Sequence, residues 1–279
     1  MVVEIDLKAA INAVSDVVQN RPRPLREFDQ IYMKTGDMVM QSELVSRWAD
    51  GKRLAFIGDG DAISVCTAYL SAKGILDTAP THITVFDFDE RIVKAVTRFA
   101  DKERIGNLDA VLYNCLDAFP NVEPFERFYT NPPWGASNGG ESVKVFTLRG
   151  LEAMHFDGEG MIVIADDLDL DWPRQVLHRV QKFAVEQDFF VSRMMSRLHE
   201  YHLDDAPDLK SCNLMIASLP GAGRLPNSQP IRGREQLEHF YGKSATPYVR
   251  YVREKLRVDY GRANSTEYDL EPLDEEEVE

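Results

Sequence analysis

The sequence predicts an α/β protein built on a mostly parallel, seven-stranded sheet that ends in an antiparallel hairpin and carries helices on both faces. Two observations lead to this fold class. Short apolar runs alternate with amphipathic helical patterns between residues 53 and 187, as in right-handed strand–helix–strand units. Two further strand-like runs, at 189–198 and 212–218, follow without a helical pattern between them, which predicts the hairpin. With 279 residues, 44% of them hydrophobic, the chain is long enough to bury such a core.

Each element is predicted from its periodicity and from the residues that end it. An amphipathic helix at 7–18 ends before Pro22 and Pro24, because proline lacks the N–H that a helix needs. A second helical pattern covers 40–49. The five parallel strands are predicted at 53–57, 82–86, 110–113, 127–130 and 161–165. The helices that follow them are predicted at 62–73, 90–101, 142–155 and 172–187, and helical patterns return at 234–241 and 247–257.

These elements outline a class I methyltransferase-like, or Rossmann-like, sheet. They divide the chain into a short helical N-terminal segment at 1–50, a Rossmann-like catalytic domain at 51–220, a C-terminal loop with helices packed on it at 221–262, and an acidic tail at 263–279 that is expected to be disordered. In sheets of this kind, ligands bind at the carboxyl ends of the strands. The loops that follow the strands are therefore the places to look for site residues.

The composition is acidic. Lys and Arg total 32 against 46 Asp and Glu, which gives a net charge of −14, and −8 of this comes from residues 264–279. The remaining charge of −6 argues against a nucleic-acid partner, which needs a basic face, and favours a small cationic substrate.

We find no secretory signal and no apolar run near the ~18 residues of a membrane span, so we expect a soluble, cytoplasmic protein without a membrane partner. The three cysteines lack metal-ligand spacing and are predicted to lie in the core, and no metal is expected.

The first candidate motif is Gly58-Asp59-Gly60-Asp61, the turn after the first strand. Glycines at this point let the backbone approach a ligand closely. The dinucleotide fingerprint Gly-x-Gly-x-x-Gly is incomplete here, and two carboxylates are poor neighbours for a pyrophosphate. The turn therefore favours a positively charged ligand such as a sulfonium nucleoside, although a plain tight turn has the same pattern.

Acids after the second and third strands extend the candidate cofactor site. Asp87 is placed to accept hydrogen bonds from both ribose hydroxyls of an adenosyl group, whereas Asp89 is predicted to cap the following helix. Asp117 is placed to accept from an adenine amino group, or else it bonds its own backbone, as loop aspartates do. The predicted cofactor-binding set is completed by Phe88, Ala118 and the two glycines of the turn.

The most specific motif is Asn131-Pro132-Pro133-Trp134, after the fourth strand. The two prolines stiffen the loop, Asn131 offers a side-chain carbonyl, and Trp134 forms a flat apolar wall that favours cations. Such a loop can orient an amine so that its lone pair faces an electrophilic carbon. We assign Asn131, Pro132 and Pro133 to catalysis and Trp134 to substrate binding.

An acidic loop between the last two strands is a further candidate. Tyr201, Asp204 and Asp205 are predicted to bind substrate, because a run of carboxylates is able to pair with the ammonium groups of a polyamine. The same run fits a solvated loop equally well. His199 and His202 lack a further partner at metal spacing, so we assign them no metal.

In their combined order, these residues resemble the branched-chain polyamine synthases, also called N4-bis(aminopropyl)spermidine synthases. The resemblance rests on residues 21–30, 58–61, 87–91 and the Pro-Pro loop, and it covers roughly residues 20–218. It implies a Rossmann-like catalytic domain that transfers aminopropyl groups from decarboxylated S-adenosylmethionine to the secondary amine of spermidine. Two positions depart from the family: Gly60 stands in place of one carboxylate of its Gly-Asp-Asp-Asp turn, and Asn131 in place of the aspartate of its Asp-Pro-Pro.

Three functions remain open from the sequence. Aminopropyl transfer to a small cationic polyamine is favoured by the acidic turn, where one of Asp59 and Asp61 is predicted to act as base and the other as partner of a distal ammonium, in either order. Transfer of a methyl group from ordinary S-adenosylmethionine to an amine is favoured by the Asn-Pro-Pro-Trp loop, which is similar to that of amino-directed N-methyltransferases. A polyamine- or nucleoside-binding protein without turnover is the third, since both departures fall in the candidate site. A homodimer is left open.

Overall fold

The structure is organised around one seven-stranded sheet. The computed structural model describes residues 5–203, 206, 208–242, 249–255 and 267–273. The strands are β1 (Arg53–Ile57), β2 (His82–Asp87), β3 (Leu108–Leu112), β4 (Arg127–Thr130), β5 (Glu159–Ala165), β6 (Phe189–Glu200), β7 (Lys210–Ser218), β8 (Val249–Glu254) and β9 (Tyr268–Pro272). The helices are α1 (Leu7–Asn20), α2 (Thr35–Trp48), α3 (Ile63–Ala72), α4 (Glu90–Glu103), α5 (Glu141–Ala153), α6 (Asp171–Glu186) and α7 (Arg234–Leu237), with a 3₁₀ turn at Arg26–Phe28.

The strand order of the sheet is β3-β2-β1-β4-β5-β7-β6. Strands β1 to β5 pair in parallel, and β7 runs antiparallel between β5 and β6. The predicted fold class, a mostly parallel seven-stranded sheet with an antiparallel terminal hairpin, is therefore confirmed. The order reverses direction between β1 and β4, and the carboxyl ends at this reversal are where such sheets bind ligands.

Helices cover both faces of the sheet because strand residues alternate between them. Leu54 and Phe56 of β1 pack with the buried faces of α1 to α4. Ala55 and Ile57 pack on the opposite side with α5, α6 and β8. Within the described ranges, no helix is long and apolar enough to cross a bilayer.

Helix α2 begins five residues earlier than the apolar pattern predicts, at Thr35 rather than at residue 40. Its buried face includes Gln41, Ser42 and Ser46, so polar residues interrupt the periodicity that would have marked the helix. Gln41 and Ser46 find hydrogen-bond partners inside the fold, which is why the helix tolerates them there.

A second, two-stranded sheet of β8 and β9 corrects two sequence predictions. Residues 247–257 were expected to be helical, because apolar residues recur at helical spacing. A register shift between Val249 and Tyr251 places Val249 and Val252 on the same buried face of β8, three residues apart, which imitates that spacing. Part of the tail expected to be disordered forms β9, held by ion pairs of Arg253 with Glu271 and of Lys255 with Asp269.

The segment between α1 and α2 crosses the carboxyl edge of the main sheet. Met33 forms an isolated antiparallel bridge with Tyr201, and Lys34 N donates to Glu200 O at 2.9 Å. Phe28 is buried in the core cluster on the α5 side, and Met33 in the cluster on the α1 side. This crossing segment, residues 21–34, therefore forms one wall above the ends of β1 and β4.

Candidate active site

A pocket opens at the carboxyl ends of β1, β2 and β4, beneath the crossing segment. It encloses about 780 Å³ of empty space, including the part open to solvent. That size is typical of small-molecule sites. Most of the residues predicted from the sequence line it: Gly58, Asp59, Gly60, Asp61, Asp87, Phe88, Asn131, Pro132, Pro133, Trp134 and Tyr201. The loops after β1, β2 and β4, which the sequence predicts to carry the site, therefore meet in one pocket.

The turn after β1 brings backbone close to the pocket at Gly58. This residue has a φ of +74°, and a Cβ added to it would lie 3.1 Å from a ring carbon of Phe146. Its N–H donates to Phe86 O at 2.8 Å, which extends the β1–β2 ladder by one residue. Both the left-handed backbone and the close ring favour glycine here.

Asp59 caps the beginning of α3. Its Oδ1 accepts from Ile63 N at 2.9 Å, and its Oδ2 accepts from Ser64 N at 3.1 Å and from the Ser64 hydroxyl. Burial raises the pKa of Asp59 well above its usual value, against the hydrogen bonds from Ser64. The side chain lines the pocket, but its acceptor sites are largely taken up by the helix.

Asp61 is the carboxylate of the turn that reaches the Asn131 loop. Its Oδ1 accepts from Met33 N at 2.7 Å, and its Oδ2 accepts from Asn131 Nδ2 at 2.6 Å. Burial raises its pKa, and the Arg21 guanidinium opposes that shift. A buried carboxylate with a raised pKa is suited to take a proton from a bound group.

The Asp61 hydrogen bond also fixes the amide of Asn131. With its nitrogen directed at Asp61, the Asn131 oxygen accepts from Trp134 Nε1 at 3.3 Å. Trp134 in turn packs edge-on against Tyr201, with ring centroids 4.9 Å apart. Asp61, Asn131, Trp134 and Tyr201 thus form one continuous wall of the pocket.

Asp87 ends β2 on the other side of the turn. Its Oδ2 accepts from Asp59 N at 3.0 Å and its Oδ1 from Asp89 N at 2.9 Å. Burial, followed by the Asp89 carboxylate, raises the pKa of Asp87 to about 7. Each carboxylate oxygen has two lone-pair sites, so a second hydrogen bond is available on each, directed to a ligand.

Asp89 acts as the helix cap that the sequence predicts. Its Oδ1 accepts from Arg91 N at 3.0 Å at the start of α4, and both of its oxygens pair with the Arg91 guanidinium. Gln30 Nε2 also donates to Asp89 Oδ2, at 3.2 Å. Its charge is therefore balanced within the protein, unlike that of Asp87.

The third predicted acid, Asp117, lies apart from the pocket. Neither Asp117 nor Ala118 is among the described residues that line it. Asp117 instead pairs with Arg250 at 3.2 Å and accepts from the Tyr251 hydroxyl at 3.3 Å. Both partners belong to β8, more than a hundred residues away in the chain. The adenine-binding role predicted for Asp117 and the cofactor-binding role predicted for Ala118 stay predictions, and Asp204 and Asp205 lie outside the described residues.

Three aromatic residues that the sequence does not predict for the site, Phe28, Tyr32 and Tyr241, join the predicted Phe88 in the pocket lining. Phe28, Phe88 and Tyr241 form a cluster with ring centroids 5.2–5.5 Å apart, and Phe88 and Tyr241 stack. Tyr32 lines the pocket beside Gly60, where an added Cβ would lie 3.4 Å from its ring. For Phe28, the resemblance of residues 21–30 to the polyamine synthase family was the one sequence feature that indicated a place near the site. Tyr241 lies in no such motif, and only the fold brings it to the cluster.

The electrostatics of the pocket favour a cation. Asp59, Asp61 and Asp87 are all buried with raised pKa values. Arg21, whose guanidinium donates to Asp61 O at 2.9 Å, opposes the shift at Asp61, and Arg91 opposes it at Asp87. A bound positive charge would stabilise these carboxylates in their ionised form. Within the described residues, no group of three or more His, Cys, Asp or Glu could hold a metal ion.

Comparison with known proteins gives a family match over nearly the whole chain. The model of the branched-chain polyamine synthase A C-terminal domain matches residues 9–276. The N(4)-bis(aminopropyl)spermidine synthase of Thermococcus kodakarensis is 27% identical over 161 residues, which cover 56% of this chain and 43% of that protein. The enzyme of the same description from Thermus thermophilus is 26% identical over 187 residues, 66% of this chain and 50% of that one. The chain spans about half the length of the curated relatives it matches.

Solved structures support the same fold. The branched-chain polyamine synthase of Thermus thermophilus, in complex with N4-aminopropylspermidine and 5′-methylthioadenosine, is similar with a TM-score of 0.67 and 21% identity, over 84% of this chain and 69% of that one. A candidate RNA methyltransferase from Pyrococcus horikoshii is similar with a TM-score of 0.56 and 14% identity, over 76% of this chain and 99% of that one. Both likenesses concern the fold.

Proposed function

This chain belongs to the family of the branched-chain polyamine synthase A C-terminal domain, and we propose that it transfers aminopropyl groups from decarboxylated S-adenosylmethionine to an amine of spermidine or a similar polyamine. The observation that carries the proposal is the buried Asp61 carboxylate, tied to Asn131 on one side and to Met33 on the other. It lies in the wall of a pocket that is also lined by Asp59 and Asp87. The related Thermus thermophilus structure holds a product of this kind of transfer.

The proposed step is an in-line displacement. Asp61 takes a proton from the ammonium of the acceptor. The freed lone pair of the nitrogen then forms a bond to the aminopropyl carbon that is bonded to the sulfonium sulfur. The C–S bond breaks, and its electron pair stays on sulfur, so the sulfonium becomes the neutral thioether 5′-methylthioadenosine. Trp134 and the prolines of the loop hold the acceptor nitrogen in line with the reacting carbon.

Asp87 is proposed to hold the nucleoside of the donor. Its two oxygens each keep one lone-pair site for a ribose hydroxyl, after accepting from Asp59 N and Asp89 N. The aromatic cluster of Phe28, Phe88 and Tyr241 lies in the same pocket and supplies an apolar surface for the nucleoside. In this arrangement the sulfonium lies near the turn after β1.

The donor is tested by titrating the purified protein with S-adenosylmethionine and, separately, with its decarboxylated form. The ordinary donor carries a carboxylate, and two like charges about 5 Å apart repel by about 3 kcal/mol at an effective dielectric constant near 20. We therefore expect the decarboxylated donor to bind on the order of 100-fold more tightly by calorimetry. Spermidine should then be converted with release of 5′-methylthioadenosine.

A preference for ordinary S-adenosylmethionine would contradict this proposal. It would favour N-methylation of an amine, the second candidate, which the Asn131-Pro132-Pro133-Trp134 loop supports. Binding of the decarboxylated donor and spermidine without turnover would instead indicate a polyamine- or nucleoside-binding protein. Each outcome thus selects one of the three functions left open by the sequence.

Donor binding is also expected to depend on pH through Asp87. Its pKa of about 7 means that the unliganded protein binds a proton there below neutrality, whereas a sulfonium and two ribose hydroxyls favour the ionised form. Affinity should therefore fall as pH decreases through 7, by up to tenfold per unit, with release of a proton on binding. Calorimetry in buffers of different ionisation enthalpy measures that proton. Binding that is independent of pH between 5.5 and 8, without proton release, would contradict it.

A further inference from the structure

A chain of buried polar side chains runs behind the pocket wall and ends at Tyr201. It begins at Gln41 of α2, passes through His199 of β6 and Ser211 of β7, and reaches the Tyr201 hydroxyl. All four residues are at most 2% exposed. Each link is 2.8 Å long between heavy atoms. Such a chain has a direction, set by which group supplies each hydrogen.

The direction starts at the amide of Gln41. Gln41 forms a reciprocal pair with Asn213, in which its Nε2 donates at 3.0 Å and its Oε1 accepts at 2.8 Å. Its Nε2 also faces the Met161 sulfur at 3.4 Å. A thioether has no hydrogen to donate, so it favours the amide nitrogen on that side. The Gln41 oxygen is therefore the atom that faces His199.

The position of the ring hydrogen of His199 decides the direction of the next hydrogen bond. Burial lowers the pKa of His199 to about 4, so its ring carries a single hydrogen at neutral pH. Because Gln41 Oε1 can only accept, that hydrogen lies on Nε2, and Nδ1 accepts from the Ser211 hydroxyl. Ser211 has thereby used its one hydrogen. Its oxygen accepts from the Tyr201 hydroxyl, whose hydrogen therefore points to Ser211 and not into the pocket.

We propose that Gln41, His199 and Ser211 hold the Tyr201 hydroxyl hydrogen away from the pocket, so that its oxygen accepts a hydrogen bond from an amine N–H of the acceptor substrate. His199 and Ser211 are positioning residues in this arrangement, and Tyr201 is the group that contacts substrate. The occupant of the site rests on the proposed function, whereas the direction of the chain does not.

The location of Tyr201 fits this role. It lines the pocket with Asp61 and packs against Trp134. Burial, and then the nearby Asp61 carboxylate, raise the pKa of Tyr201 well above its usual value, against hydrogen bonds with Ser211 and Asn131, so the phenol stays neutral. A neutral oxygen that offers only lone pairs favours an ammonium or amine, and it disfavours a substrate that presents an acceptor at the same point.

The direction is tested first on the unmodified protein by nitrogen-15 NMR of the histidine rings. Long-range proton–nitrogen correlations distinguish the two tautomers, and the His199→Asn variant assigns the signals among the six histidines. We expect His199 to be the Nε2–H tautomer at pH 7. An Nδ1–H tautomer would reverse the chain, turn the Tyr201 hydrogen toward the pocket and overturn the inference.

The substrate contact is tested with Tyr201→Phe, Ser211→Ala and Ser211→Thr. Tyr201→Phe removes the acceptor, and Ser211→Ala frees the phenol hydrogen to turn toward Asp61, where it competes with the amine. We expect both to raise KM for the amine on the order of 10- to 100-fold, as for a hydrogen bond to a charged group. The dissociation constant of the donor should change less than about threefold, since Asp87 is untouched. Ser211→Thr keeps the hydroxyl and should restore most of the lost affinity.

The proposed function and the inference about Tyr201 are contradicted by different results. If no amine binds or reacts, the proposed function fails, and the tautomer still decides the direction of the chain. If amines react normally but Ser211→Ala and Tyr201→Phe leave KM for the amine unchanged in folded protein, this inference alone is overturned. A parallel loss of donor and amine affinity in Ser211→Ala, without rescue by Ser211→Thr, would indicate a merely structural role and also overturn it.

Discussion

Replacing Asp87 with asparagine is expected to raise the dissociation constant of the donor nucleoside on the order of 100-fold. Both oxygens of Asp87 already accept backbone N–H groups, so an amide nitrogen in place of either oxygen would face another donor. The variant also loses one acceptor for a ribose hydroxyl and the negative charge that faces the sulfonium. A hydrogen bond to a charged group contributes about 1.5–3 kcal/mol, which corresponds to this change in affinity. Calorimetric titration with decarboxylated S-adenosylmethionine measures it.

The matched control is Asp117→Asn. Asp117 was the other acid predicted to hold the nucleoside, but in the structure it pairs with Arg250 and Tyr251 outside the pocket. This partly exposed contact is expected to contribute at most about 1 kcal/mol to stability, and the donor affinity should change by less than about threefold. Comparable losses of affinity in the two variants would show that the nucleoside extends toward Asp117 and that Asp87 is not its main anchor.

Replacing Asp61 with asparagine is expected to lower kcat by about 10²- to 10⁴-fold, the usual contribution of a positioned general base. The variant can no longer accept the proton of the acceptor ammonium. It also places an amide between Met33 N and Asn131 Nδ2, both of which donate to the carboxylate at present. Single-turnover release of 5′-methylthioadenosine at saturating donor and amine isolates this effect from binding.

Asp59→Asn is the isosteric control two residues away. Both Asp59 oxygens accept N–H groups that begin α3, so the amide nitrogen of an asparagine would face one of these donors and leave it unpaired. We expect a decrease in the free energy of unfolding of about 1–3 kcal/mol and a fall in kcat of less than about tenfold. If Asp59→Asn abolished turnover and Asp61→Asn retained it, with both proteins folded, the base would be Asp59.

The central part of the fold was predictable because its signals are local. The strand β1 was predicted with its observed bounds, Arg53–Ile57, and β4 with its bounds, Arg127–Thr130. Both are short runs followed by turn residues, and local chemistry is enough to define them. The same reasoning brought the residues after β1, β2 and β4 to one pocket, since parallel strands end at one edge.

Where the structure goes beyond the local sequence patterns, contacts distant in the chain decide the arrangement. Asp117 follows β3 as an adenine ligand would and its predicted role stays a prediction, but its pairing with Arg250 of β8 has no signal in the loop itself. The acidic residues of β9 suggest disorder by composition. In the fold, however, Glu271 pairs with Arg253 of β8, and Asp269 pairs with Lys255, the residue after β8. Likewise, Tyr241 enters the pocket from a segment without a motif of its own. No local pattern contains this information.

The crossing segment has a consequence for how relatives of this protein diverge. The side of the pocket that we propose for the nucleoside is formed by residues close together in the chain, namely the turn at 58–61, and by Asp87. The side that we propose for the amine is formed by separate stretches of chain, with Tyr32 from the crossing segment, Trp134 from the loop after β4 and Tyr201 beyond β6. Mutations in any one stretch can reshape the amine side while the nucleoside side is inherited intact. In the proposed function, such substitutions change which amine is modified and leave the binding of the donor unchanged. Asp61 belongs to the turn after β1 and hydrogen-bonds to Asn131, so it contacts both sides of the pocket and is constrained by both.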